Sequence, residues 1–289
     1  MPELPELEIV QDVLERRLVG RRIMDVSLSP KGGPIVVRDL TGQGFRQGLT
    51  GRTIESVQRR GKFLLFGLGT ETGPKPAGSR GEPALTLAVN PKLTGRLQLS
   101  SPAGKKAGPV HVTLHFEAPT EELRYVDQKR MGQLYLTARL ASIPTFAEMG
   151  PDALEASPEI FRTRLRRFRG EIKGVLSREQ FVAGIGNAYA DEILWQARLH
   201  PYRKVSTLSP EEIDGLHAAM NVTLRESIEK VEAAMGEDIH LKPRDFFAVH
   251  MRGGQACPRC GGRISEITAQ DRITNFCRSC QPGGLIRGL

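Results

Sequence analysis

Over residues 5–18 large apolar side chains recur at Leu7, Val10, Val13, Leu14 and Leu18, near the helical period, and predict an amphipathic helix. Alternation then takes over. In residues 85–89 and 110–116 every second residue is large and apolar, the pattern of strands, and 53–68 and 134–136 also read as strand. The stretches GTETGPKPAGSRGEP at 69–83 and SSPAGKKAGP at 100–109 are rich in Gly, Pro and Ser and read as loops between strands. Several antiparallel strands punctuated in this way predict a sandwich or barrel.

From about residue 150 the helical period returns. Ser157-Pro158-Glu159 is a helix start, with a capping residue followed by proline at the first helical position. Phe161, Leu165 and Phe168 form one face of that helix. Arg162, Arg164, Arg166, Arg167 and Arg169 cover the rest and read as a solvated surface. Gly184-Ile185-Gly186-Asn187 is a tight turn, with Asn187 or a neighbour capping a helix that runs through Leu194. A long helix follows over 209–235, with Ile213, Leu216, Met220, Leu224, Ile228, Val231 and Met235 on its apolar face. The change in period sets a domain boundary at about 138–150. No internal repeat interrupts the pattern.

The 289 residues suit two domains with a small appendage. With 39% hydrophobic and 26% charged residues, the chain can build packed cores, which excludes global disorder. No stretch approaches the roughly 20 apolar residues of a membrane span. The opening MPELPELEIV carries acids where a signal peptide carries basic residues, so a soluble intracellular protein is expected. A formal charge of +8 favours polyanionic partners, nucleic acid first.

Chemistry concentrates at the two ends. Cys257-x2-Cys260-x16-Cys277-x2-Cys280 is two CxxC knuckles around a short strand-like insert, four thiolates for tetrahedral Zn²⁺. So short a segment buries little core, so the metal supplies most of its folding energy. The spacing specifies a zinc ribbon and leaves its role open, since such ribbons bind nucleic acid, bind protein or brace a fold. At the other end stands Met-Pro-Glu-Leu-Pro-Glu. Initiator methionine is commonly removed before proline, which would leave Pro2 with a secondary amine, and α-amino groups titrate near about 7.7–8.0. Attack of that amine on a sugar aldehyde carbon gives an iminium, an electron sink for elimination, with Glu3 and Glu6 available as proton donor and orienting group. The six histidines are scattered and read as structural or exposed. Trp195 reads as core.

Taken together, these segments resemble the formamidopyrimidine-DNA glycosylase/endonuclease VIII family of base-excision repair enzymes, nearly end to end. Pro2-Glu3-Leu4-Pro5-Glu6 is similar to the family's opening, and Arg60-Gly61-Lys62-Phe63-Leu64 to its RGK strand. Residues 182–192 (VAGIGNAYADE) are similar to its helix–two-turn–helix segment, and 272–281 (RITNFCRSCQ) to its zinc-finger hairpin. The resemblance implies an α+β multidomain fold. An N-terminal antiparallel β-sandwich with flanking helices (1–138) and a linker (139–150) would precede a helix–two-turn–helix DNA-binding domain (151–237) and a zinc finger (238–289). It implies a bifunctional glycosylase and AP lyase that excises oxidised bases and nicks the abasic site by β,δ-elimination. Pro2 would attack C1′, Glu3 would be the general acid/base, and Glu6 would hold the N-terminal helix and active-site water. Lys62, Asn187 and Arg272 would contact phosphates beside the lesion, and the extruded base would occupy a pocket. Implied with these are one structural Zn²⁺, damaged double-stranded DNA as partner, no membrane, a monomeric state, and a bacterial-type cytoplasmic, nucleoid-associated location.

The chain departs from the family's pattern in three places. Where the family has His-Leu-x-Met-Thr/Ser-Gly this chain has Asn90-Pro91-Lys92-Leu93-Thr94-Gly95, so Asn90 replaces the phosphate-binding histidine and Leu93 the methionine wedge. The family's Asp-Pro-Arg-Arg-Phe-Gly becomes Asp127-Gln128-Lys129-Arg130-Met131-Gly132, which makes Lys129 and Met131 the opposite-strand wedges. For Leu93 and Met131 the alternative is ordinary core. The segment 236–247 is shorter than the loop that closes over 8-oxoguanine in purine-specific members. Ring-opened purines, 8-oxoguanine and oxidised pyrimidines therefore all stand as substrates. Two other readings compete with the enzyme: a non-catalytic damaged-DNA-binding protein on the same fold, and a zinc-ribbon protein-interaction module.

Overall fold

A computed structural model describes residues 1–69, 84–117, 121–269 and 272–283. The chain opens with α1 (Leu4–Leu18), then β1 (Ile23–Leu28), α2 (Gly33–Val36), β2 (Val37–Asp39) and α3 (Phe45–Leu49). Seven strands follow: β3 (Thr53–Arg60), β4 (Phe63–Gly69), β5 (Leu85–Asn90), β6 (Gly95–Ser100), β7 (Val110–Phe116), β8 (Glu122–Asp127) and β9 (Gln133–Thr137). Helices come next, as α4 (Pro158–Leu165), α5 (Ile172–Leu176), α6 (Asn187–Gln196) and α7 (Pro210–Met235). The hairpin β10 (Ile264–Ala269) and β11 (Arg272–Cys277) completes the order. Two compact units result. One holds residues 1–2, 6–147 and 231–242; the other holds 3–5, 148–230 and 243–289.

The first unit is a sandwich of two sheets, ordered β1-β7-β8-β6 and β2-β9-β5-β4-β3. Phe66, Leu87, Val89 and Leu134 from one sheet meet Leu97, Val112, Leu114, Leu123 and Tyr125 from the other around an apolar cavity of only about 10 Å³. The expectation of an all-antiparallel sandwich needs one correction, because β2 pairs with β9 in parallel. The chain leaves β1 in one sheet and reaches the edge of the other through α2, so no hairpin dictates the direction of β2. A second correction concerns 53–68, which reads as one strand. It is the hairpin β3–β4, turned at Gly61 (φ +56°) and Lys62. Lys62 therefore sits in a turn and not within a strand, and glycine supplies the left-handed backbone there. Strands β4 and β5 are buried along their whole length, so the alternating pattern of β5 understates its burial. Of the stretch 69–83, only Gly69 falls within the described residues.

The second unit is helical with a metal-ribbon appendage. Ser157 Oγ accepts the Ile160 N–H at 3.2 Å, which starts α4 as its sequence predicts. The arginine run is only partly solvated: Arg162 pairs with Asp214, and Arg164 donates to the carbonyls of Phe181 and Gln180, leaving Arg166, Arg167 and Arg169 at the surface. The side chain of Ser209 caps α7 by accepting the Glu212 N–H at 3.2 Å, while Glu212 Oε2 accepts the Ser209 N–H at 2.8 Å. Phe161, Phe181, Tyr189, Leu216, Met220 and Leu224 belong to the helical core. No helix among the described residues is long and apolar enough to cross a membrane.

Candidate active site and nucleic-acid interface

In the second unit, the first turn of α6 is built around Glu3. Its Oε2 accepts the N–H groups of Gly186 (2.7 Å) and Tyr189 (3.2 Å), and its Oε1 accepts that of Ala188 (3.1 Å). These are N–H groups that a helix leaves unsatisfied at its start, where the helix dipole is positive. The expected cap, Asn187, does not perform this role: α6 has no side-chain cap of its own, and a carboxylate from the other end of the chain replaces it. The turn must be glycine-rich to allow this approach. A Cβ on Gly186 would stand 2.5 Å from the Glu3 carboxyl carbon, and Gly184, at φ +108°, lies against Leu4. The carboxylate is thus buried, with its direction fixed by three backbone donors.

Asn187 faces elsewhere. Its Nδ2 donates to Ile273 O at 2.8 Å, and Lys173 Nζ donates to the same carbonyl (2.8 Å) and to Thr274 Oγ1 (2.8 Å). Lys173 pairs with Asp191 at 2.7 Å, and Asp191 Oδ2 accepts the Asn275 N–H and lies 2.8 Å from His250 Nδ1. Glu192 accepts the N–H groups of Ala248, Val249 and His250. Burial pushes the Glu192 carboxyl up against the pull of those three donors, and burial pulls the Lys173 ammonium down against Asp191. This network clamps β11 to α6 and brings Asn187 to the start of the strand where Arg272 stands exposed. Asp191 and Glu192 close the motif segment 182–192 without a role following from it, and Lys173 lies outside every motif, although two adjacent acids within an otherwise apolar helical run are a legible signal.

In the first unit, Pro2 and Glu6 line a narrow, mainly aliphatic pocket with a free volume of only about 20 Å³, with Leu7, Val10, Leu64 and Ile239 among its walls. Lys62 is buried in the β3–β4 turn. Asn90 Oδ1 accepts the Lys92 N–H (3.1 Å), so its acceptor shapes the loop that carries Leu93. Leu93 and Met131 are 45% and 47% exposed, which removes the alternative that they are core. Each follows a residue in the left-handed region, Lys92 (φ +49°) and Arg130 (φ +53°), and Lys129 is exposed beside the second.

One buried carboxylate joins these two loops. Asp127 accepts hydrogen bonds from Thr94 Oγ1, the Tyr125 hydroxyl (3.1 Å) and the N–H groups of Lys129 (3.1 Å) and Gly132 (2.8 Å). Burial pushes its carboxyl up, but these donors outweigh burial and hold it below the ordinary carboxylate value. A depressed folded value means stability that is present above the unfolded value of about 3.9 and lost as pH falls through the folded one. Asp127→Asn is therefore expected to cost about 1–3 kcal/mol at neutral pH and to flatten the acid limb of stability. Urea denaturation of the two proteins at pH 7 and at pH 3 measures both effects.

At the C-terminal end, Cys257, Cys260, Cys277 and Cys280 place their sulfurs within 4.8 Å of one another. The pairs Cys257–Cys280 and Cys260–Cys277 stand 3.9 and 3.5 Å apart. A tetrahedral ion with Zn–S bonds of about 2.3 Å spaces its sulfurs at about 3.8 Å. The donor set fits.

Three family models match in order along the chain: the formamidopyrimidine-DNA glycosylase N-terminal domain over residues 1–134, the H2TH domain of that glycosylase over 149–237, and the zinc finger found in FPG and IleRS over 254–283. The chain belongs to the formamidopyrimidine-DNA glycosylase family. The formamidopyrimidine-DNA glycosylase of Symbiobacterium thermophilum is 33% identical over 291 residues, 98% of this chain and 90% of that protein. The Lactococcus lactis enzyme, solved non-covalently bound to DNA containing an AP site, superposes with a TM-score of 0.79 at 29% identity, covering 97% of this chain and all of that one. MutM in complex with DNA containing carbocyclic 8-oxo-G gives 0.81 at 29% identity, covering 98% of this chain and all of that one. This glycosylase is a base-excision repair enzyme with the family's glycosylase and AP-lyase activity, it binds DNA, and its four cysteines hold one structural zinc ion.

Proposed function

We propose that Pro2, once Met1 is removed, is the nucleophile, and that Glu3 is the group that moves protons beside it. While Met1 is attached the Pro2 nitrogen is an amide with no available lone pair. Its removal unmasks a secondary amine that displaces the base at C1′ of the damaged nucleotide; the C1′–O4′ bond then breaks as O4′ takes a proton, which opens the sugar and gives an iminium. Eliminations of the two flanking phosphates then leave a one-nucleotide gap. The observation that carries this reading is the Glu3 carboxylate, buried one residue after Pro2 and aimed by three α6 N–H groups. Glu6 holds α1 and the active-site water. Lys62, Asn90, Asn187 and Arg272 contact phosphates. Leu93 fills the emptied stack, and Lys129 and Met131 enter on the opposite strand. The partner is damaged duplex DNA, met by a monomer in a bacterial cytoplasm, with functional segments 1–138, 151–237 and 238–289 joined by the linker 139–150.

We also propose a lesion preference. The extruded base hangs from the carbon that Pro2 attacks, so the pocket beside Pro2 receives it. Ile239 and Leu241 form one wall, on a segment held by Glu237 between Arg16 and Arg17 and by Arg96 Nη1, which donates to His240 O at 3.2 Å. The narrow aliphatic walls must part to admit a base, and part less for a single ring than for a fused pair, with the remaining Arg96 donors meeting its carbonyl edge. Single-ring lesions, ring-opened purines and oxidised pyrimidines, are therefore preferred over intact 8-oxoguanine. Single-turnover excision from duplexes carrying each base tests the order. Arg96→Leu should slow excision about ten- to hundredfold, as loss of a charged hydrogen bond does, and should affect incision at a base-free abasic site far less. Faster excision of 8-oxoguanine than of either single-ring base contradicts the preference.

A further inference from the structure

The end of α6 remote from Glu3 meets the zinc ribbon through Trp195, the chain's sole tryptophan. Its ring packs against the cluster of Val249, Cys257, Ile264 and Cys277, and its Nε1 donates to Cys257 Sγ at 3.4 Å. Arg259 lies inside the same knuckle, between Cys257 and Cys260. Its guanidinium stacks 3.9 Å from the indole centroid and donates to Trp195 O (2.7 Å) and Gln196 Oε1 (3.1 Å). The grip is reciprocal: the helix holds a ligand sulfur of the knuckle, and the knuckle holds the helix. On the second knuckle, Gln281 Oε1 accepts the Cys277 N–H at 2.9 Å, and Gln281 Nε2 donates to Leu199 O at 2.9 Å.

We propose that Trp195 and Arg259 are positioning residues of the zinc centre, with the indole N–H bonding the Cys257 thiolate and the Arg259 cation locking the indole in place. Four thiolates around Zn²⁺ carry a net charge of −2 in a partly buried site. Such charge is held when donors and cations surround the sulfurs, and partners one layer out from a metal commonly change its affinity about ten- to hundredfold. The indole supplies a donor at the sulfur and the guanidinium a positive charge behind the ring. Because the donor sits on α6, zinc also fastens the C-terminal end of the helix whose first turn orients Glu3.

The test removes the N–H without removing the ring. With one tryptophan in the chain, a tryptophan auxotroph fed β-(3-benzothienyl)alanine changes this position alone, putting sulfur where the N–H was. Zn²⁺ affinity is read by competition with a chromophoric chelator, and the Co²⁺-substituted protein reports the thiolate-to-metal charge-transfer band. Zinc affinity should fall about ten- to hundredfold, and the band should move to lower energy as the Cys257 sulfur loses its hydrogen bond. Trp195→Phe should behave alike. Arg259→Ala should show a smaller shift in the same direction, and Arg259→Lys should restore part of it. A benzothienyl protein that binds Zn²⁺ as tightly as the native one, with an unmoved cobalt band, overturns the proposal and leaves Trp195 a packing residue.

Discussion

Glu3→Gln is expected to slow base excision by about 10²–10⁴-fold, the range spanned by a positioned general acid or base. The same change should lower stability by about 1–3 kcal/mol. The two effects share one cause. The carboxylate presents acceptor oxygens to all three N–H donors of the α6 turn, whereas an amide must turn its own NH₂ toward at least one of them. Glu3→Asp keeps the charge but shortens the reach, so it should recover less stability than charge alone would predict. Single-turnover excision paired with urea denaturation separates the terms. A Glu3→Gln protein as stable as wild type but inactive would assign Glu3 to chemistry alone, and an unstable one that excises normally would remove it from the reaction.

Stripping zinc, or replacing Cys277 by serine, should have the second large effect. Zinc binding in such fingers is worth about 10–16 kcal/mol at neutral pH, far more than the few apolar contacts of this ribbon supply. Without it, β10 and β11 should lose their pairing, and Ile273 O and Thr274 Oγ1 should no longer be held by Asn187 and Lys173. The Lys173–Asp191 pair would then face water on one side. Hydrogen exchange should rise across 272–277 while the α4 and α7 amides stay protected. Affinity for duplex DNA should fall at least about tenfold if Arg272 and Asn187 make the phosphate contacts proposed for them, because the hairpin that places them is lost. Continued protection of the hairpin after complete zinc removal would show that packing and not metal holds the ribbon.

Local features were legible in the sequence. The two CxxC knuckles, the Ser157 cap and the apolar stripe of α7 are patterns within a few turns of chain, and each appears in the structure where its spacing places it. Long-range pairing was concealed. Glu3 caps a helix that begins more than 180 residues later, and no local cap competes for the position, so a reading confined to the turn gives the role to Asn187. Asp127 is visible as a motif residue, but its tying of the Leu93 loop to the Met131 loop depends on β6 and β8 lying side by side. The parallel edge strand β2 is hidden because three residues carry no readable period. Arg162 and Arg164 read as surface because their partners, Asp214 and the carbonyls near Phe181, come from other segments.

Everything proposed for the reaction depends on a covalent bond between the Pro2 nitrogen and C1′ of the damaged nucleotide. Borohydride trapping addresses that bond directly, with Met1-free protein incubated on duplexes carrying an abasic site, a ring-opened purine or an oxidised pyrimidine, followed by peptide mapping of any adduct. A DNA–protein adduct on the N-terminal peptide, located at Pro2 and absent when Met1 is retained, is the predicted result. Tight, zinc-dependent DNA binding with no adduct on any duplex would contradict it, and would leave a damage-binding protein that keeps the fold without the reaction.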